Sequence, residues 1–501
     1  MPVLIRGFFP SGIQTFSPTS PIMSESPRLS RRSAFKAVGG TGAAALMGGG
    51  AGSAAMLLAS EPPQQPTDLR KQIFSKVWAT PFIDTHEHLC DEHHRFSAEG
   101  SAGADDWSVV LSGYLGSDLQ SAGMPQEAQG KFYSKGPSPA EKWKLLEPYW
   151  PAVKNTGYGL AARISLRQLY DVDDLSAATV EKAQSGYEKV RQPGFYKRVL
   201  CEQSGISSCQ VNALPGPFLE SKMPTLMMQD LSIVGMFAGP ALETFGKPSG
   251  ITPTELSDWH KVIDWWFGKY GKYAVAVKSQ DAYRREINYM PTPAEAASEA
   301  FKKKARGEPV SSDERVALED HLFWYAVRKA AEQGLPVKLH TGYYAGQNSM
   351  PLARLINNAG SACELCRNAP EASFVFMHIC YPYYEELIAV AKQWTNAFVD
   401  MCWSWIINPI AAKDFLKKYL TTAPANKILT FGGDYRYVEQ VLGHAVLARQ
   451  GIALALCELV EEGWLSLNDA MELIEPIMNG NAKRIFRLAE KEPVLRDAPW
   501  L

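Results

Sequence analysis

The stretch "TPFIDTHEHLCDEHH" (residues 80–94) places four of the chain's nine histidines behind an apolar run too short to make a helix. Side chains alternate along a strand, so residues two apart share a side, and the His-x-His of His86 and His88 presents two imidazoles to one metal ion. Asp84 shares the parity of His86 and is expected to face inward, as a partner that orients an imidazole. His93 and His94 fall beyond the strand and are expected to be polar loop residues.

Outward from this stretch, short apolar segments alternate with longer helical patterns, the mark of parallel βα units. The strand candidates are residues 81–86, 207–214, 231–237, 273–279, 336–342, 373–379, 397–402 and 427–433. Eight such units predict an α/β fold, a (β/α)8 TIM barrel over residues 80–490. That span exceeds the roughly 250 residues of a minimal barrel, so helical insertions are expected after strands 1 and 4. The first carries "DDWSVVLSGYLG" and "EKWKLLEPYWPAV", the second "FKKKARGEPVSSDER". Residues 491–501 are left as a C-terminal tail. Catalytic groups of such barrels sit at the carboxyl ends of the strands, and there the sequence places His86, His88, Lys278, His340, His378 and Asp434.

Composition excludes several function classes. With 501 residues, 46% of them hydrophobic, the chain can bury one large core or two ordinary ones. The 51 basic and 53 acidic residues nearly cancel without long runs of either sign, so no nucleic-acid partner is expected. Eight scattered cysteines give no disulfide framework, and Cys363 with Cys366 are expected to be buried free thiols. Residues 1–60 read as an N-terminal extension and export signal: "SRRSAFKAVGGTGAAALMGGGAGSAAMLLAS" (residues 30–60) has two arginines, then Gly and Ala, and no acidic residue. Arg31-Arg32 resembles a twin-arginine signal, which implies a periplasmic or otherwise extracytoplasmic protein with no stable membrane span after cleavage. Residues 61–79, opening on the Pro-rich "EPPQQPTD", are expected to be a linker.

"DTHEH", "VKSQDAYRRE", "LHTGYY", "MHICYPYYEEL", "FGGDYRY" and "NGNAKRIF", spread over residues 80–488, resemble the amidohydrolase superfamily. The likeness is to family-2 amidohydrolases, and especially to the domain found fused to glutamine-synthetase-like domains. By that resemblance His86, His88 and Asp434 would bind one divalent metal ion, expected as zinc or else manganese, and His340 and His378 would hold a second. A carboxylated Lys278 would bridge the two, although some members keep one ion and lack the bridge. Neutral imidazoles and carboxylates suit such ions, and water bound to them becomes hydroxide near neutral pH. Asp434 would act as general base, so the catalytic set is Asp434, His378 and Lys278. The residues alone leave Lys278 two other roles, an ion pair with Asp281 or an anchor for a substrate carboxylate.

Substrate contacts are expected from Arg436, two residues past Asp434, and from Tyr343, Tyr381 and Trp405 beyond the fifth, sixth and seventh strands. Trp403 is a further wall candidate, and one of Arg284 and Arg285 is expected to face the site. The leading expectation is a metal-dependent hydrolase that cleaves an amide, ester or lactone of a small molecule through a metal-activated water. The alternatives are an aromatic-acid decarboxylase or a uronate isomerase. A non-catalytic binding barrel would have lost Asp434 or the His-x-His, and neither is lost. A homo-oligomer is left open. If the export reading holds, replacing Arg31 and Arg32 together by lysine should trap the protein inside the cell in a fractionation experiment; unimpeded export of the double variant would remove it.

Overall fold

Residues 68–97, 105–214, 216–237, 245–347 and 349–501 are described by a computed structural model of the chain. The export signal, its cleavage points and the first part of the expected linker lie outside the described residues. Eight strands pair in parallel and in sequence order: β1 (Phe82–Glu87), β2 (Ile206–Val211), β3 (Met227–Ser232), β4 (Ala274–Ser279), β5 (Val337–His340), β6 (Phe374–Met377), β7 (Ala397–Asp400) and β8 (Ile428–Leu429). Across the remaining seam, Thr85 N donates to Phe431 O at 3.0 Å, Asp434 N to His86 O at 2.8 Å and His88 N to Tyr435 O at 2.8 Å. The result is a (β/α)8 barrel.

All six residues of β1 are buried, because one face meets the barrel interior and the other the helices, and this is why the strand shows no alternation of polarity. The third strand corrects the expectation. It runs over Met227–Ser232, and Val234–Phe237, inside the expected 231–237 span, is a helical turn. Hydropathy pointed past "MMQDLS" because Gln229 and Asp230 are polar, yet both are buried. Inside the barrel, Asp230 takes an ion pair from Lys338 of β5 at 2.9 Å, and the same amine donates to Thr85 O at 2.7 Å. Charge is tolerated there because it is paired and hydrogen-bonded.

The helices are α1 (Asp68–Ala79), α2 (Tyr114–Ser121) and α3 (Gly157–Tyr170) within or before the first insertion, α4 (Leu256–Tyr270), α5 (Ser312–Glu332), α6 (Asn358–Asn368), α7 (Glu385–Gln393), α8 (Pro409–Leu420), α9 (Val438–Glu461) and α10 (Leu488–Arg496). Insertions follow β1 and β4, as expected. A Ser311–Glu314 capping box starts α5 within the charged stretch. The expected linker is corrected in its second part, since residues 68–79 form α1 and bury Ile73 and Val77. The expected tail is corrected too. Residues 488–496 are helical, and Trp500 donates its indole N–H to Ser221 O at 2.9 Å and packs on Tyr273.

Helix α9 is long and apolar enough to cross a membrane, but 83% of its most apolar window is buried inside the protein, the environment of a core helix. Its Arg449 shows what it organises. The guanidinium donates to Val77 O (2.7 Å), Thr80 O (2.6 Å), Ser204 O (3.2 Å) and Gly205 O (3.1 Å), and it lies over the Phe82 ring at 4.4 Å. One buried side chain thus gathers the end of α1 and the entries to β1 and β2. Arg449→Met removes the donor that these carbonyls share, with Gly205 O keeping only its bond from Phe82 N, and should cost on the order of 3 kcal/mol. Urea unfolding should show a lower midpoint for Arg449→Met, with Arg449→Lys between it and the parent; an unchanged midpoint in the methionine variant would refute the assignment.

Candidate metal centre

At the carboxyl ends of β1, β6 and β8, three imidazoles converge on one carboxylate. His86 Nε2 and His88 Nε2 lie 3.1 and 3.2 Å from Asp434 Oδ1, and His378 Nε2 lies 4.0 Å from Asp434 Oδ2. His86 and His378 are fully buried and Asp434 is 7% exposed. Two of the rings are steered by a hydrogen bond at the other nitrogen, and the third faces a carboxylate. His88 Nδ1 donates to Asn212 O at 2.8 Å, His378 Nδ1 to Cys402 O at 3.0 Å, and His86 Nδ1 faces Asp230 Oδ2 at 3.9 Å. For His88 and His378 that leaves Nε2 as the lone-pair nitrogen on the side of the centre, where Gln280 Nε2 also lies 3.0 Å from His88 Nε2.

The donors fit a divalent cation. His86 Nε2 and His378 Nε2 are buried without a hydrogen-bond partner, a costly state unless another group takes the lone pairs. Burial lowers the His86 imidazole and brings His378 down to about 3, so both are neutral at physiological pH. Burial pushes the Asp434 carboxyl up, but the attraction of the His86 and His88 imidazoles overrides it and holds the carboxyl well below its usual range. Two donor sets emerge around the shared aspartate: His86, His88 and Asp434, and His378, Cys402 and Asp434, each with its ligand atoms within 4.8 Å of one another.

Local backbone strain marks the same place. Of the eight non-glycine residues with positive φ among the described residues, five are His378, Ile379, Cys380, Trp403 and Asp434, all just past β6, β7 or β8. Such conformations cost of order 1–3 kcal/mol each and cluster at functional sites. Gly433 is dictated by the close approach of the seam, since a Cβ there would lie 1.9 Å from Glu87 Oε1.

The other expected residues divide between the surroundings of this cluster, the core and the surface. His340 is in neither donor set but stands beside them, its ring 4.4 Å from that of His378 and its Nε2 2.8 Å from Tyr343 O. Lys278 is buried and makes a long hydrogen bond to Ser279 O at 3.5 Å, whereas Asp281 pairs with Arg284. Arg284 and Arg285 are both committed to carboxylates, the latter to Asp320 and Glu319. Trp405 is a core residue: its indole N–H donates to Thr430 O at 2.8 Å, and its ring packs so tightly on α9 that a Cβ at Gly451 would lie 2.1 Å from it. Trp403 faces the centre instead, 5.3 Å from the His378 ring. Tyr343 stands 5.9 Å from Trp403 and 6.0 Å from Tyr381, both tyrosines half-buried, and Arg436 is exposed. His93 and His94 are exposed on a short helix, Glu92–Phe96. Asp84 binds backbone rather than an imidazole, accepting from His86 N at 3.1 Å and Gly433 N at 3.3 Å. Cys363 is partly and Cys366 fully buried, both free.

Sequence reasoning passed over Cys402, Asp230 and Tyr114. Tyr114, from α2 in the first insertion, donates its hydroxyl to Asp434 O and packs 4.7 Å from Trp403. The only available signal was its lone aromatic ring in a polar stretch.

Comparison with known proteins agrees with the architecture. The amidohydrolase family model matches residues 274–488. Protein fluG of Emericella nidulans is 24% identical over 230 residues, which cover 44% of this chain and 26% of that protein, so the match spans about a quarter of the relative's length. Among solved structures, the uronate isomerase of Thermotoga maritima is 15% identical with a TM-score of 0.67, covering 86% of this chain and 98% of that one. The glucuronate isomerase of Caulobacter crescentus is 16% identical with a TM-score of 0.68, covering 86% and 97%. A Lactobacillus casei chain described as a metal-dependent hydrolase is 15% identical with a TM-score of 0.57, covering 85% and 99%. At these identities the structural likeness speaks for the fold. The family match runs from β4 through the helices beyond β8, so that part of the chain is similar to the amidohydrolase family, and the barrel as a whole shares its fold with these solved structures.

Proposed function

We propose that the protein is a metal-dependent hydrolase of an amide, ester or lactone in a small molecule, working in an extracytoplasmic compartment. The observation that carries this reading is the Asp434 carboxylate, with one oxygen between His86 and His88 and the other turned toward His378. His86, His88 and Asp434 would hold a divalent ion, zinc or manganese, and His378 a second when two are present. Bound there, the cation supplies Lewis acidity to the reacting carbonyl and lowers the pKa of water.

The chain's own groups then account for the proton movements. Asp434, through the oxygen facing His378, takes a proton from the attacking water and delivers it to the leaving group. Tyr114 fixes the aspartate's backbone through its hydroxyl, and with Trp403 it shields the reacting side from bulk water. Tyr343 and Tyr381 flank the substrate, and Arg436 stands at the rim where it can meet a carboxylate. Lys278 is central to the metal count. Burial brings its amine down to about 8, against the opposing pull of the Asp434 carboxylate. About a tenth of it is therefore neutral near pH 7, the form that reacts with carbon dioxide to give a bridging carbamate.

His86→Ala, His88→Ala and Asp434→Ala should each lower bound metal and abolish turnover, while exposed His94→Ala does neither. Metal analysis of the purified variants checks this, and equal metal loss in His94→Ala would contradict the assignment. If Lys278 is carboxylated, protein prepared with labelled bicarbonate should show a carbamate resonance, and Lys278→Ala should lose mainly one of two ions. A plain amine beside a single ion would leave Lys278 as a substrate anchor, and then its loss should raise KM with metal content intact. A screen of the metal-loaded enzyme against amides, esters, lactones, uronates and aromatic acids decides the reaction; turnover of uronates alone would replace hydrolysis by isomerisation.

A further inference from the structure

We propose that Cys402 Sγ is a metal ligand, completing with His378 Nε2 and the Asp434 carboxylate a second donor set that shares Asp434 with the His86–His88 set. This rests on the reading of the centre as a metal site, and it deepens that reading by naming a donor of different chemical class.

The geometry of Cys402 carries the inference. The residue follows β7 directly, is fully buried, and its sulfur lies within 4.8 Å of ligand atoms of both His378 and Asp434. Its backbone is already part of the centre: Cys402 O accepts the Nδ1 proton of His378 at 3.0 Å, and Cys402 N donates to Asp400 Oδ1 at 2.9 Å. The first bond fixes the His378 tautomer that leaves Nε2 as a lone pair, and that Nε2 is buried and without a hydrogen-bond partner. Room for the sulfur is made at the seam. A Cβ at Gly432 would lie 2.9 Å from both Cβ and Sγ of Cys402, so the residue opposite the thiol has to be glycine.

Charge and donor count point the same way. His340 packs against His378 with ring centroids 4.4 Å apart but is not one of the three residues whose ligand atoms converge in this set. A divalent ion held by His378 and the shared carboxylate alone would keep part of its charge uncompensated in a fully buried place. A thiolate offsets that charge, and its proton passes to solvent as the sulfur–metal bond forms. Because thiolate is a soft donor, the centre should favour zinc, iron(II) or cobalt(II) over manganese or magnesium.

The test uses the full-length protein stripped with a chelator and reloaded with cobalt(II) alone. The parent should show a near-ultraviolet thiolate-to-cobalt charge-transfer band in addition to the visible ligand-field bands. Cys402→Ser should lose the former and retain cobalt at the His86–His88 set, while Cys380→Ser, whose thiol lies just past β6, should keep both. X-ray absorption of the zinc-loaded parent provides a readout independent of any variant, and should show sulfur at about 2.3 Å. Cobalt binding without the charge-transfer band, survival of the band in Cys402→Ser, or a zinc shell of nitrogen and oxygen only would each overturn the proposal while leaving the metal centre standing. A parent that binds neither ion would overturn both readings.

Discussion

The hydrogen bonds between β1 and the segment after β8 are the constraint on which the rest of the molecule depends. Asp434 N donates to His86 O, and His88 N donates to Tyr435 O, so the stretch that closes the barrel also delivers the carboxylate to the imidazoles. Asp434 sits at φ 63°, which turns its side chain inward just where the chain leaves the seam. A shift of one residue in this register would send His86 and His88 to the opposite face. Closure of the fold and assembly of the centre are therefore a single event, and Gly432 and Gly433 are what allow the two backbones close enough for it.

Bringing so many polar groups into a barrel interior demands compensation, and the groups beneath the centre supply it. Lys338 and Asp230 neutralise each other. Burial raises both carboxyl groups, Asp84 to about 7 and Glu87 well above its ordinary value. Asp84 can then accept from the backbone of His86 and Gly433 while Glu87 accepts from Tyr435 N at 2.7 Å. Two carboxyl groups of β1 thus act as a brace for the seam. Parity alone had suggested that Asp84 would orient an imidazole; Asp230 of β3 faces His86 Nδ1 instead, from a strand whose polar sequence concealed it.

What could be read from the chain and what could not divides along a physical line. Strand ends carry ligand-type residues at fixed offsets, so His86, His88, His378 and Asp434 were recognisable, and the structure brings them together. Features set by contacts between distant segments were not. Trp403 and Trp405 are two residues apart on similar aromatic sequence, yet a left-handed turn at Trp403 puts one ring beside His378 and the other against α9. The same turn follows Cys402, whose place beside His378 no spacing rule announces. His340 ends its strand as expected, but a carbonyl three residues on captures its ring.

The first insertion belongs to this second class, and its placement explains why the barrel alone does not define the site. Tyr114 of α2 reaches the backbone of Asp434 and stacks at 5.4 Å on Tyr158 of α3, which itself lies 6.4 Å from Trp403. From the opposite side, the loop after β5 grips the same helix, Gln347 Nε2 donating to Ser117 O at 3.1 Å and Ser121 Oγ at 2.7 Å. The wall over the ligands is thus built by the insertion, the β5 loop and the β7 turn together, while the ligands themselves come from strand ends. Substitutions in the insertion away from Tyr114 can reshape what reaches Asp434 without moving the donors, because the seam that positions them is held by backbone hydrogen bonds of its own.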